Sequence, residues 1–481
     1  MEESGEERAY NHFDGEEARV TLSEIMSTLE GLGAAPLKSL GQNFLHDQNV
    51  AAWIVQRLEL SPGEHVVEIG PGLGALTKQL ADAHVSATLL EKDAAYAAYL
   101  QAKFAGAGFE VVAGDALDYD PRRFFAQRPV KLVGMLPYYI SSTLLLHFTR
   151  EPCPFDRVVV TVQKELAERM AAPPGEKAYG SLSVALQRRW HVRKIKTLPA
   201  SVFVPQPRVD SAVVLLTPKT GTELEPVDAE EFERLVRLGF SQRRKQLRKL
   251  LATRYGVEQL QETWNRIGLA ADVRAEALSL PVWVRLSGLL GRKIINGNGT
   301  TESLQVVDEQ DRPVRGLNRA MVHQERHLHR AVHVLLLNPA GELYLQRRSF
   351  AKDRYPGRWD SSAAGHVDCG ETYADCATRE VSEELGLTAR LELVGKLAAS
   401  EATGQEFVEV FCGQVSERPM PNPLEIDAFG AFSLEVVNAW LARCPQDFAP
   451  AFVSCYHLGR ERLRHLAGSP APGVSDSRRP A

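Results

Sequence analysis

Glu380, Glu383 and Glu384 stand at i, i+3 and i+4 of a helix-periodic run, so one helix face would carry three carboxylates. Three anions on one turn repel unless a cation sits among them, and oxygen ligands favour Mg2+ or Mn2+. A metal held there could bridge a diphosphate and activate a water, which makes Glu383 and Glu384 candidate catalytic residues as well as ligands. A second chemical stretch lies far upstream, at His65 to Thr77 (H-V-V-E-I-G-P-G-L-G-A-L-T). Val66, Val67 and Ile69 read as a buried parallel strand, cut short by Gly70, Pro71, Gly72 and Gly74. Glycines let a ligand approach the main chain, and the helix beginning near Ala75 aims its N–H groups at it. Glu91 follows about twenty residues on, the separation at which an acid can reach a ribose hydroxyl.

The elements that must position these groups follow from the pattern. Strands are predicted at 65–69, 87–90, 110–113, 131–134 and 157–163, alternating with helices, which implies a doubly wound parallel sheet with its ligand at the strand C-termini. The expected organisation is an N-terminal extension over 1–36, containing an amphipathic helix Thr21 to Leu32 with Leu22, Ile25, Met26 and Leu29 on one face. A Rossmann-like domain over 37–217 and a helical subdomain over 218–290 follow. A Gly/Asn-rich linker over 291–302 leads to a second α/β unit over 303–467 and a Pro/Ser tail over 468–481 expected to be disordered. At 481 residues, 44% hydrophobic and 24% charged, the chain can hold several cores. No apolar run is long enough to span a membrane and the acidic start is unlike a signal peptide, so the expected location is cytoplasmic. The six cysteines form no Cys-x-x-Cys pair, which argues against a disulfide or zinc framework.

Over roughly 37–290 the residues carry a family resemblance. Gly41-Gln42-Asn43-Phe44-Leu45, the Glu68 to Thr77 loop, Glu91-Lys92-Asp93, Gly114-Asp115-Ala116, Leu136-Pro137-Tyr138, Ala178-Tyr179-Gly180 and Phe203 to Ala212 resemble the small-subunit rRNA adenine N6-dimethyltransferases. The resemblance implies S-adenosylmethionine as donor, two adjacent dimethyladenosines as product, and small-subunit rRNA, or the small ribosomal subunit, as partner. Gly70 and Gly72 would then hold the methionine part of the donor, Glu91 its ribose and Asp115 its adenine amine, while Gln42, Asn43 and Leu45 belong to the segment closing over it. Leu136, Pro137 and Tyr138 would surround the target amine, and Phe203 is a candidate to stack on the flipped adenine. Arg188, Arg189, His191, Arg193, Lys194 and Lys196 form one basic cluster. Arg243, Arg244, Lys245 and Arg248, expected on a helix, belong to a second, in which Phe240 to Lys245 matches the family's Phe-Ser-x-Arg-Arg-Lys; these are the candidate RNA contacts.

One position departs from the pattern. Met135, lining the donor side, stands where the family has Asn before Leu-Pro-Tyr. An adenine amine is a poor nucleophile, and two acceptors must hold its N–H groups; a thioether accepts weakly. Losing one positioned acceptor could cost roughly 3 to 4 kcal/mol. The rival to a working methyltransferase is therefore an RNA-binding assembly factor that retains the donor pocket, with the C-terminal module as the active enzyme.

The C-terminal resemblance rests on Gly365, Glu371, Arg379, Glu380, Val381, Glu383, Glu384, Gly386 and Leu387, which fit the Nudix signature without a gap. It implies an α/β/α sandwich and hydrolysis of a diphosphate-containing small molecule, with Glu371 and Arg379 pairing structurally. Tyr355 to Asp360 and Gly365-His366 resemble the branch related to isopentenyl diphosphate isomerase, but Ala364 stands where the isomerases carry a catalytic Cys, so hydrolysis is the implied reaction. His323, His329 and His366 could be metal ligands or structural histidines.

Overall fold

The computed structural model describes residues 22–33, 42–220, 223–224, 227–291, 303–352 and 354–468. The acidic lead, the interior of the proposed linker and the Pro/Ser tail lie outside these residues. Seven strands form the first sheet, in the spatial order Glu110–Ala113, Ser86–Glu91, His65–Ile69, Val130–Met135, Phe155–Gln163, Ser211–Pro218, Trp190–Leu198. The first five are parallel, as the alternation predicted. Ser211–Pro218 runs antiparallel to both its neighbours, so Trp190–Leu198 points the same way as the first five; neither strand was expected. Trp190–Leu198 is an edge strand whose outward positions are basic, so its composition reads as a charge cluster and hides its period.

Parallel strands are covered on both faces, which is why Val66, Val67, Leu89, Val133, Val158 and Val160 are all buried. The parallel connections put Ile69, Glu91, Ala113 and Met135 at one edge of the sheet. Helices Ala229–Gly239, Leu247–Leu251, Val257–Ile267 and Leu280–Leu290 follow, packed around Phe232, Tyr255, Trp264 and Trp283. Helix Leu22–Gly31 buries Ile25 and Leu29, but Met26 is 53% exposed, which corrects its place on the packing face.

Nine strands, from Ser303–Val307 to Ile426–Phe432, build the second sheet, in which Glu406–Gln414 runs parallel to His329–Leu337. Helix Tyr373–Leu385 packs on one side with Val332, Val334 and Leu336, and helix Pro450–Ala467 on the other with Leu335, Leu337 and Val410. The two modules meet at the N-terminal ends of the parallel strands, opposite the glycine turn. Phe125, 1% exposed, inserts among Trp440, Phe432 and Trp359 at centroid distances of 4.2, 5.2 and 5.8 Å. Beside it, Arg189 bonds Asp427 at 2.8 Å while Arg347 reaches Asp427 at 2.7 Å and Glu151 at 3.2 Å, so ion pairs cross the interface in both directions. Among the described residues no helix is long and apolar enough to cross a membrane.

Candidate functional site

At the C-terminal edge of the parallel strands lies a cleft lined by Gln42, Asn43, Phe44, Gly70, Gly72, Glu91, Lys92, Tyr96, Asp115, Met135, Pro137 and Tyr139 among others. Gly70, Gly72 and Gly74 have φ of 66°, 57° and 84°, left-handed values that side chains disfavour. A Cβ on Gly72 would stand 3.2 Å from the Phe44 ring, closer than ordinary contact, so a side chain there would press on that ring. Glu91 fixes this loop from below: its carboxylate accepts the Gly72 and Asp93 N–H groups, both at 2.9 Å. Burial raises the pKa of that carboxyl, and the two N–H groups oppose the shift. Each oxygen keeps a second lone pair, so the cleft retains an acceptor. Under the turn Glu68 is fully buried, bonded to Thr77 at 2.7 Å, and its carboxyl is pushed up to about 8 by burial.

Asp115 holds one oxygen against the Leu117 N–H at 3.0 Å and the other against Lys92 Nζ at 2.7 Å, a hydrogen bond that lowers its pKa. Lys92 was not singled out from sequence. Gln42 lies between Asp93, 3.4 Å away, and the Tyr96 hydroxyl at 3.3 Å. Met135 and Pro137 reach the cleft, whereas Leu136 is buried and Tyr138 bonds the Ser211 hydroxyl at 2.6 Å behind it. The Ser141 hydroxyl donates to the Pro137 carbonyl at 2.8 Å and only approaches that of Leu136, at 3.4 Å, which leaves the Leu136 carbonyl able to accept. Two expectations are corrected. Leu45, 2% exposed, and Phe203, 3% exposed, pair on adjacent strands and pack in the core, and neither lines the cleft. Phe44 has the place expected for Leu45, because alternate residues of a strand face opposite ways.

In the C-terminal module helix Tyr373–Leu385 runs from a Thr372 cap to Gly386, at φ 63°. Glu384 is buried and accepts the Gln346 amide at 2.9 Å and the Ala364 N–H at 3.1 Å. Glu380 lies against Gly365, where any Cβ would overlap its carboxylate. Arg379 bonds Glu371 at 2.9 and 3.0 Å, the predicted structural pair, and also reaches Glu380 at 2.7 Å and Glu383 at 3.1 Å. Burial pushes Glu380 up to about 8, reinforced by Glu384, and Glu384 itself up to about 7. Such carboxyls hold protons where free ones would not, and a cation would reverse that.

Next to this helix His323, His329, His366 and Glu406 gather with their ligand atoms within 4.8 Å of one another. His329 and Glu406 are register partners on adjacent parallel strands, and His366 lies on the strand along the other side. The His329 Nδ1 hydrogen donates to the His327 carbonyl at 2.9 Å, which turns Nε2 into the cluster, 3.4 Å from the Glu406 carboxylate. Burial lowers the pKa of His323 to about 4 and lowers that of His366 against the opposing pull of Glu406. Burial would raise Glu406, yet the imidazoles of His329 and His366 hold its carboxyl well below the ordinary range. Imidazole nitrogens with a carboxylate are the donor set of Zn2+, Mn2+ and similar cations. Glu406 belongs to no motif and was missed.

Comparison with known proteins matches the "Ribosomal RNA adenine dimethylase" family model to residues 36–290 and the "NUDIX domain" model to 327–452. The ribosomal RNA small subunit methyltransferase A of Ligilactobacillus salivarius is 39% identical over 279 residues, covering 56% of this chain and 94% of its own. The chain belongs to the ribosomal RNA adenine dimethylase family. It carries a NUDIX domain in addition. The protein of the same name from Prosthecochloris aestuarii is 42% identical over 46% of this chain and 84% of its own. The crystal structure of 23S rRNA methyltransferase ErmE matches 52% of the chain and 100% of its own, at 26% identity and a TM-score of 0.42.

The dimethylase-family module also sorts the two basic clusters. Arg188 is half-buried over the Phe232 ring at 5.3 Å, with burial lowering its pKa to about 9, and Arg189 serves the module interface, so both are engaged within the protein. Arg243, Arg244 and Lys245 lie in a turn before helix Leu247–Leu251, not on a helix as expected. Arg243 bonds Glu276 and the Lys177 carbonyl, and Arg248 bonds Gln261 at 2.7 Å, while Arg244 and Lys245 are exposed.

Proposed function

We propose that the dimethylase-family module transfers methyl groups from S-adenosylmethionine to two adjacent adenosines of small-subunit rRNA, in the cytoplasm, and that the NUDIX module hydrolyses a diphosphate bond. The observation that carries the first part is the glycine cradle with Glu91 and Asp115 at one sheet edge. The donor supplies an electrophilic methyl group. Glu91 and Asp115 offer acceptors for its ribose and adenine ends, Gln42 and Asn43 wall it in, and Leu136 offers a carbonyl to the target amine. Arg244 and Lys245 supply phosphate contacts, with Arg243 and Arg248 beside them. We read 37–217 as the catalytic domain and 218–290 as the RNA-binding one.

In the second module Glu380, Glu383 and Glu384 would hold Mg2+ or Mn2+, which polarises the diphosphate and lowers the pKa of a water. His323, His329, His366 and Glu406 would hold a second, softer cation. Elemental analysis of the purified chain should find it, and His329→Ala should remove it.

Met135 favours a second reading. Its thioether lines the cleft where an acceptor is needed, so binding without fast transfer fits the same geometry. Labelled methyl transfer to unmodified small subunits, by the natural chain and by Met135→Asn, separates the two. Transfer by the natural chain at a rate that the variant does not improve supports the enzyme. Transfer by the variant alone leaves the natural module a binder.

A further inference from the structure

Helix Leu22–Gly31 lies ahead of the residues matched by the dimethylase family, which begin at 36. Its buried side chains meet one target. Ile25 and Leu29, 4% and 3% exposed, form a single apolar cluster with Phe44 and Tyr96, flanked by Leu32 and Leu73. Both rings face the donor cleft on their other side. They meet edge to face at 5.7 Å, a geometry that fixes their relative position. The Phe44 ring stands where a Cβ on Gly72 would come within 3.2 Å, and the Tyr96 hydroxyl donates to Gln42 at 3.3 Å. A chain of contacts thus runs from the helix through two aromatic rings to the glycine turn and to Gln42. Among the described residues this cluster has four buried members, and the helix contributes two of them. Without it, one side of both rings would face water.

We propose that helix Leu22–Gly31 is a strap that holds the Phe44–Tyr96 wall of the donor cleft against the glycine turn, with Ile25 and Leu29 as its positioning residues. The strap touches no part of the donor. It acts by keeping Phe44 and Tyr96 in place, so its loss should appear in donor affinity and residence time. This inference rests on the reading of the cleft as the S-adenosylmethionine site.

The test is titration calorimetry of S-adenosylmethionine with the full chain, with Ile25→Ser/Leu29→Ser, and with the conservative Ile25→Val/Leu29→Met. The serine pair should weaken donor binding tenfold or more and speed its release. The conservative pair should bind within about twofold of the natural chain, since apolar bulk is what the strap supplies. Met26→Ser, on the exposed side of the helix, should change nothing. If the serine pair does not fold, as judged by circular dichroism, Leu29→Ala is read in its place with a threefold or greater loss expected. Equal donor affinity in the natural chain and in the folded serine or alanine variant would overturn the strap. Absence of binding by the natural chain would overturn the donor-site reading beneath it.

Discussion

The two candidate sites of this chain solve opposite problems. In the donor cleft the polar side chains are largely spent on the protein itself: Glu91 ties the glycine turn and Asp115 is engaged by Lys92. What remains for a ligand is shape, spare lone pairs and main-chain approach. In the NUDIX module the acids crowd one helix against Gly365 and Ala364, and burial raises the pKa of Glu380 and Glu384. The cation proposed for that site would offset the crowding of these carboxylates. A cleft built on backbone should respond to steric change, and one built on buried charge to metal and pH. The sites also lie apart, since the NUDIX module docks on the strand ends opposite the donor cleft and leaves the cleft's edge of the sheet clear.

Removing charge should give the largest effect. Glu384→Gln, or chelation of divalent cations, should reduce phosphate release from a nucleotide and isoprenoid diphosphate panel on the order of a thousandfold, the scale of a metal's several kcal/mol. Methyl-donor binding should be untouched by either. Unchanged hydrolysis under chelation would break the contrast between the sites.

Phe125 tests their separation. Phe125→Ala should destabilise the chain by about 3 to 5 kcal/mol, because the ring fills the aromatic cluster of the other module. Calorimetry should then resolve two transitions where the natural chain unfolds in one. Gly72→Ala should weaken donor binding by roughly tenfold through a positive φ and a close Phe44 ring, of order 1 to 3 kcal/mol, with hydrolysis unaltered.

The smallest effect is in pH. A carboxyl whose folded pKa lies above its unfolded value binds more protons folded than unfolded in the window between them. The stability contributed by Glu380 and Glu384 is therefore present below about 4.5 and is lost as pH rises through about 7 to 8. In chelator the melting temperature should fall across that window, and Mg2+ should flatten the fall. The donor cleft should add the same sign through Glu68, pushed up to about 8 beneath the glycine turn, and through Glu91.

Much of this was legible along the chain. Residues 65–69 read as a strand and are one, because Val66, Val67 and Ile69 supply the apolar positions of a buried parallel strand and a glycine turn ends it. The pair of Glu371 and Arg379 was readable because both lie within one local unit. Phe203 and Leu45 misled because a matched motif names residues without saying which way an alternating strand turns them. Arg188 and Arg189 misled because charge in sequence looks solvent-exposed until packing covers it, here by the Phe232 ring over Arg188 and by Asp427 of the other module against Arg189.

The sequence by itself determined the glycine cradle and the carboxylate face of the NUDIX helix. Both follow from backbone dihedrals and a 3.6-residue period, which act over a few residues. Only the tertiary structure decided that His329 would stand beside Glu406, that His366 would join them from the neighbouring strand, and that Phe125 would anchor one module in the other. Cross-strand register and docking are fixed by burying whole faces at once, a condition that no single stretch of residues carries.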